Sequence, residues 1–283
     1  MFSYDTFCWK VIFIACIACA AFLTCVCASF ELNSTSRLLL VGDGIAHFGY
    51  VMPNGFMSFL SNQDPNIQVY SKAKIGGTIS EGFRDIEVDL DHYMPTHVIV
   101  MYGVSDALLS DELFYGESFQ YYLEAIVATL LDKNMKIMII SPTVIDENVF
   151  EENQLHYNLE IITSICKRVA ADFKVSFLDV FTQMHKHLEH VNTGGFREQV
   201  LTRDSVHLNE RGNRFVAYHL LLACSYPAVR ADWIDDSIMI GSLYEKFREE
   251  AGKEHTAHLT IFSIVRTCPL LSNILLSYRR ILE

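Results

Sequence analysis

The sequence has little positive charge and no cluster of it. It contains 22 Lys and Arg against 34 Asp and Glu, which gives a formal net charge of −12 over 283 residues. No run of Lys or Arg exceeds two residues. Nucleic acids and anionic membrane surfaces attract basic patches, so this pattern argues against both as partners. The acidic excess favours solubility and does not bear on the fold.

Cysteine is scarce beyond the first 28 residues. Five of the eight cysteines lie within that segment: Cys8, Cys16, Cys19, Cys25 and Cys27. The three that remain are scattered and give neither a disulfide framework nor metal-ligand spacing: Cys166, Cys224 and Cys268. We therefore expect no metal and no cofactor, and we predict that Cys166 and Cys224 are small buried hydrophobic residues.

The first 28 residues have the layout of a secretory signal peptide. Lys10 precedes an apolar run over residues 11–26, and Val26-Cys27-Ala28 suits cleavage after Ala28. The alternative is an uncleaved anchor, because the run continued through Phe30 approaches the length that spans a bilayer. Asn33-Ser34-Thr35 is an N-glycosylation sequon, usable only in the lumen. These features predict the secretory pathway, with the protein secreted, luminal or anchored by this segment.

Apolar segments alternate with amphipathic ones along the rest of the chain, without internal repeats. Strands are predicted at residues 38–41, 67–70, 97–102, 136–141 and 175–178. Helices are predicted at residues 118–132, 151–173 and 210–224. Regular alternation of this kind is typical of an α/β fold whose parallel sheet is covered on both faces. Functional sites in such folds gather at the carboxyl ends of the strands.

The core domain is expected to occupy residues 37–226, and residues 227–283 form an extension of a different kind. The extension is polar and partly helical at first, and apolar at its end. Arg266 and Pro269 interrupt the apolar part, so a single spanning helix is not expected there. We predict that it packs on the domain or lies in a membrane interface. Membrane contact is thus assigned to an uncleaved leader or to this segment.

Asp204 and His207 stand three positions apart, just before an amphipathic helix. A carboxylate there can accept a hydrogen bond from the N–H of one imidazole nitrogen, which leaves the other nitrogen basic and oriented, as in a Ser-His-Asp triad. An isolated pair of this kind is more often structural, with the aspartate capping a turn.

The pair is not isolated, because four separated blocks resemble the SGNH hydrolases, also called GDSL esterases and lipases, over about residues 37–224. The blocks read "LLLVGDGIAHFGY", "YSKAKIGGTISEGF", "MYGVSDA" and "DSVHLNERGNRF". Judged by the last block, the sequence resembles most the isoamyl-acetate-hydrolysing and lysophospholipase-like branch. The resemblance implies one flavodoxin-like α/β/α domain of three layers, with five parallel strands, acting on carboxylic ester bonds.

The resemblance also implies roles for single residues. Gly76 stands where the family's glycine donates a backbone N–H to the oxyanion hole. Asp204 matches the orienting carboxylate and His207 matches the general base. Supporting turns keep their expected residues, namely Asp43, Gly103 and Asp106.

Two departures fall on reactive positions. Gly44 stands where the family has its nucleophilic serine, and Ser105 stands where it has an oxyanion-hole asparagine. Because Gly44 has no side chain, the resemblance leaves it only a backbone N–H to donate to the oxyanion hole. In subtilisin, removal of the nucleophile lowers kcat by about 10⁶. We further expect Gly44 to relax a demanding turn, so that Gly44→Ser costs stability.

Three functions stay open. The first is a catalytically impaired protein that binds a small ester, acyl or glycan ligand, or a protein partner. The second is a working ester hydrolase or acyl-transfer enzyme that uses Ser105 or a water activated by His207. The third is a structural scaffold that uses only the fold. Side chains filling the space above Gly44 and Gly76 would favour the scaffold.

Overall fold

The computed structural model describes residues 30–109, 116–145, 154–191 and 200–225. The predicted leader (residues 1–28), the extension (residues 227–283) and Cys268 lie outside these residues. The chain divides into two units, Met1–Trp233 and Ile234–Glu283, and every described residue belongs to the first. Over the described ranges, no helix is both long enough and apolar enough to cross a membrane.

Five parallel strands form one sheet in the order β2-β1-β3-β4-β5. The strands are β1 (Arg37–Gly42), β2 (Gln68–Ser71), β3 (His97–Met101), β4 (Lys136–Ile140) and β5 (Ser176–Leu178). Each lies where the sequence predicts it, with ends shifted by at most one residue. The central strands β1, β3 and β4 are almost wholly buried, which explains their continuous apolar sequences.

Eight helices are found in the described parts of the chain. They are α1 (Gly44–Val51), α2 (Phe56–Gln63), α3 (Ile79–Tyr93), α4 (Val104–Leu108), α5 (Glu117–Asp132), α6 (Gln154–Phe173), α7 (Val180–Val191) and α8 (Glu210–Ala223). Helices α3, α5 and α6 pack side by side as one layer, and α2, α8 and α7 pack as the other. The predicted three-layer α/β/α fold is confirmed.

Both described cysteines belong to the core. Cys166 and Cys224 are free thiols, and each is buried. Burial raises the pKa of both thiols, which keeps them protonated and unreactive. Their prediction as small hydrophobic residues is confirmed.

Candidate active site

The candidate site lies where the strand order of the sheet reverses. β1 pairs with β2 on one side and with β3 on the other, so the connections that follow β1 and β3 depart in opposite directions and open a crevice. Gly42-Asp43-Gly44 ends β1 and begins α1, and Gly103 precedes α4 directly after β3. Both predicted turns therefore meet at one point of the carboxyl edge.

Asp43 joins these two turns through its buried carboxylate. Oδ1 accepts a hydrogen bond from the Ile45 N–H at 3.0 Å and caps α1. Oδ2 accepts from the N–H groups of Val104 at 2.9 Å and Ser105 at 3.4 Å. Burial raises the pKa of Asp43 to about 6, although these N–H groups favour the charged form. Asp43 thus fixes the start of α1 against the start of α4.

Two glycines of these turns are required by geometry. A Cβ on Gly42 would lie 2.3 Å from the Met101 carbonyl oxygen, so only glycine allows this approach of β1 to β3. Gly103 has φ +131°, and its Cβ would lie 2.8 Å from Cγ2 of Ile162. The sequence signal for both was their place at the end of a predicted strand.

Gly44 differs from these two glycines because neither the backbone nor the surrounding space demands glycine there. It is the first residue of α1 and lies outside the positive-φ region. A Cβ built on it would lie 3.7 Å from Cα of Ile75 and 3.8 Å from N of Gly76. These are ordinary van der Waals distances. The expectation that Gly44 relaxes a demanding turn is therefore wrong.

Gly76 lies beside Gly44 in the loop that follows β2. It is exposed and adopts φ +70°, a conformation that favours glycine. No atom of the described residues lies within 4 Å of a Cβ built on it. The next residue, Gly77, donates its N–H to the Lys74 carbonyl at 3.0 Å and closes the turn. The backbone amide that the resemblance assigns to the oxyanion hole thus lies next to the position that lacks a side chain.

Asp204 and His207 form a hydrogen-bonded pair. Oδ2 of Asp204 lies 2.8 Å from Nδ1 of His207. Oδ1 of Asp204 accepts from the backbone N–H groups of His207 at 2.7 Å and Val206 at 3.2 Å. Although partial burial of the carboxyl acts in the opposite direction, these bonds lower the pKa of Asp204. A carboxylate on Nδ1 favours the tautomer whose Nε2 is basic.

Phe48 connects this pair to α1. The ring centroids of Phe48 and His207 are 4.9 Å apart, with an edge-to-face angle of 89°. Because Gly44 precedes Phe48 by four residues, both occupy the same face of α1. His207 therefore lies against the helix face that begins with Gly44. On the same phenyl ring, the guanidinium carbon of Arg203 lies 5.4 Å from the centroid. The sequence analysis identified neither Phe48 nor Arg203.

Asn209 holds the loop that carries Asp204 and His207. Its Nδ2 donates to the carbonyls of Val200 at 3.0 Å and Thr202 at 2.9 Å. Its Oδ1 accepts from the Gly212 N–H at 2.9 Å and caps α8. The sequence analysis missed this role, although an asparagine before an amphipathic helix is a typical N-cap signal.

Ser105 and Asp106 occupy the first turn of α4. Ser105 is only 7% exposed. Oδ1 of Asp106 accepts a hydrogen bond from the Ile79 N–H at 3.1 Å, which ties α4 to the start of α3. Burial, with a further contribution from Asp43, raises the pKa of Asp106 to about 7, although the Ile79 N–H acts against it. Asp106 therefore holds the start of α3 against α4, and Ser105 is buried.

Most of the predicted site residues therefore belong to one edge of the sheet. The ends of β1 and β3 bring Gly44 and Ser105 to it, and the loops after β2 and before α8 bring Gly76 and the Asp-His pair. Asn33 is elsewhere, because it precedes β1 and so lies at the amino edge.

The parallel five-stranded sheet and the Asp-His pair before α8 are compatible with hydrolytic chemistry, since an oriented histidine can act as a general base. The sequence model of the GDSL-like lipase/acylhydrolase family matches residues 40–215. The chain belongs to this family. Comparison with curated protein sequences found no match.

Solved structures of two acetyl xylan esterases and of an alpha/beta hydrolase enzyme share the fold. An acetyl xylan esterase, AlAXEase, is 22% identical, covers 66% of this chain and 98% of its own, and superposes with a TM-score of 0.59. A single-residue variant of Axe2, an acetyl xylan esterase from Geobacillus stearothermophilus, is 21% identical over 71% and 99% of the two chains, with TM-score 0.58. LAE5, an alpha/beta hydrolase enzyme from the metagenome of Lake Arreo, Spain, is 20% identical over 70% and 98%, with TM-score 0.58. At these identities the likeness establishes the fold alone.

Proposed function

We propose that this chain is an esterase-fold protein of the secretory pathway that binds an ester, acyl or glycan ligand and does not hydrolyse it efficiently. One observation carries the proposal. Gly44 offers no side chain at the start of α1, although there is room for a Cβ, and His207 contacts Phe48 one turn further along the same helix. The site retains its acid–base pair and has lost the atom on which that pair would act.

The chemistry follows from what His207 can reach. With Nδ1 held by Asp204, Nε2 is free to take a proton from a nucleophilic hydroxyl. Gly44 supplies no hydroxyl, so no acyl-enzyme forms at this position. Binding and oxyanion stabilisation alone retain about 10³–10⁴ of rate over water in a serine protease. We therefore expect hydrolysis far below that of an intact esterase.

Ligand binding is favoured over a purely structural role by the space around Gly44. The nearest atoms to a Cβ at this position are backbone atoms of Ile75 and Gly76, and no described atom comes near a Cβ on Gly76. Apart from chain neighbours, no side chain of the described residues lies within 4 Å of a Cβ at either glycine. A protein partner at the same crevice is the alternative occupant, and the comparison proteins favour a small ester or an esterified glycan.

The residue roles draw support from the Axe2 structures. Alanine variants of that acetylxylan esterase at a serine, an aspartate and a histidine are catalytic mutants. Its aspartate and histidine are three positions apart, as Asp204 and His207 are. The resemblance of "DSVHLNERGNRF" to the isoamyl-acetate-hydrolysing branch favours a short acyl group in the ligand.

Residual activity has two candidate routes, a substitute serine nucleophile and an activated water. Ser105 as a substitute nucleophile is disfavoured because the residue is 7% exposed and its backbone is tied to Asp43. A water activated by His207 is compatible with the free Nε2, and would give slow turnover without a covalent intermediate.

Hydrolysis of short- and medium-chain p-nitrophenyl esters tests the proposal in four forms of the protein: wild type, Gly44→Ser, His207→Ala, and the double variant. We expect a silent wild type and a gain in Gly44→Ser that disappears when His207→Ala is added. Wild-type turnover abolished by His207→Ala would overturn the proposal and favour the activated water. Turnover abolished by Ser105→Ala would make Ser105 the nucleophile.

A further inference from the structure

We propose that Asn33 carries an N-linked oligosaccharide on a short strap, residues 30–36, that is fixed to the edge of the sheet opposite the candidate active site. Asn33-Ser34-Thr35 is the only N-x-S/T triplet in the sequence. The inference depends on the secretory placement proposed above, and it does not depend on the hydrolytic state of the site.

The strap is held against the amino edge. Phe30 is 2% exposed, and its ring packs edge-to-face on His97, the first residue of β3, with centroids 5.2 Å apart. Nε2 of His97 is hydrogen-bonded to the Glu31 carbonyl at 2.9 Å. The Ser36 N–H donates to the Asn33 carbonyl at 2.9 Å and closes a turn directly before β1. All three residues of the sequon are exposed on this turn.

The hydrogen bonds of the Asn33 side chain leave its reactive nitrogen unused. Oδ1 accepts from the N–H of Thr35 at 3.0 Å, from the Thr35 hydroxyl at 2.7 Å and from the Ser36 hydroxyl at 3.4 Å. Among the described residues none of its bonds uses Nδ2. An N-linked glycan is attached at Nδ2 and leaves the carbonyl oxygen in place. The folded turn therefore accepts the modification without losing a hydrogen bond.

The transfer balances with a lipid-linked diphosphate oligosaccharide as donor, which the secretory pathway supplies. A bond forms between Nδ2 of Asn33 and the anomeric carbon of the sugar. The bond between that carbon and the diphosphate oxygen breaks, and the lipid diphosphate leaves with the electron pair. One proton is lost from Nδ2.

The location leaves the crevice open. Strand β1 has six residues and so spans about 20 Å. Asn33 precedes this strand and Gly44 follows it, so the two residues lie at opposite ends of the strand. The described chain also begins at this amino edge, with Phe30. A glycan, and an anchor if the leader is retained, would both join the domain on the side away from the candidate site.

The experiment expresses the full chain in cultured animal cells and follows its electrophoretic mobility before and after treatment with a peptide N-glycosidase. We expect wild type and Thr35→Ser to shift, because both keep the sequon, and Thr35→Ala and Asn33→Gln not to shift. Peptide mapping of the treated wild type should find aspartate at position 33, since the enzyme hydrolyses the glycosylated amide.

Asn33→Asp is a matched control for folding, because glycosidase-treated wild type has the same covalent structure. Equal melting temperatures for the two would show that loss of the glycan signal does not reflect misfolding. A wild type whose mobility does not change would overturn the inference, and so would a shift that persists in Asn33→Gln. Neither result changes the ester-hydrolysis outcome for Gly44→Ser, so the hydrolytic part of the proposed function fails or holds separately. Secretion of an unglycosylated wild type into the medium would overturn the glycan inference while leaving the secretory placement intact.

Discussion

The substitution Gly44→Ala is expected to stabilise the domain slightly. Gly44 is the first residue of α1 and lies outside the positive-φ region, and a Cβ there meets atoms no closer than 3.7 Å. An alanine that fits without strain gains about 0.4–1 kcal/mol by restricting the unfolded chain. For a domain of this size, that corresponds to a rise in Tm of about 1–4 °C.

The matched control is Gly42→Ala, two residues earlier in the same turn. Its Cβ would collide with the Met101 carbonyl oxygen at 2.3 Å and with Cβ of Ala46 at 2.6 Å. Overpacking of this kind costs about 1–3 kcal/mol, and the Tm should fall. Differential scanning calorimetry of the three proteins measures both shifts. A Tm for Gly44→Ala that falls as far as that of Gly42→Ala would refute the reasoning, because glycine at position 44 would then be a requirement of the fold.

Further expected outcomes concern a turn, the Asp-His pair and a half-buried histidine. Gly103→Ala should destabilise by at least about 1 kcal/mol, measured by urea unfolding, because φ there is +131°. Asp204→Asn added to Gly44→Ser should lower the gained esterase rate by up to about 10⁴, the loss seen for this exchange in a serine protease. Burial, with His187 nearby, lowers the pKa of His219 to about 4. The His219 imidazole is therefore protonated near pH 6.5 in the unfolded chain but only near pH 4 in the folded protein. Stability present above pH 6.5 is lost as the pH falls toward 4, and His219→Leu should show a smaller loss in pH-dependent unfolding.

Much of the fold is predictable because its buried strands have continuous apolar sequences. A sheet covered on both faces needs continuous apolar segments, and the segments that become β1, β3 and β4 are of this kind. Helix α3 was not predicted, although Thr78 and Glu81 form a capping box at its start and that pattern is visible in the sequence. The short helix α4 could not be predicted from local sequence, because its first N–H group, that of Val104, donates to the carboxylate of Asp43, far away in sequence.

The candidate site was predictable only in part. The Asp204–His207 contact is local, so their spacing sufficed to predict it. The place of Phe48 against His207 is a contact between α1 and a loop more than 150 residues later, and no local pattern encodes it. The conformation of Gly44 was predicted wrongly, because the sequence "GDG" gives no φ angle. Only the folded turn distinguishes Gly42, which must be glycine, from Gly44, which need not be.

The central claim, that the retained acid–base pair has no nucleophile to activate, is tested most directly by a fluorophosphonate. Such a reagent is attacked by an activated serine oxygen, forms an O–P bond and releases fluoride. Intact-protein mass spectrometry after treatment should show no adduct on wild type and one adduct on Gly44→Ser, absent when His207→Ala is added. An adduct on the wild type, mapped to Ser105 or to another serine and dependent on His207, would contradict the account.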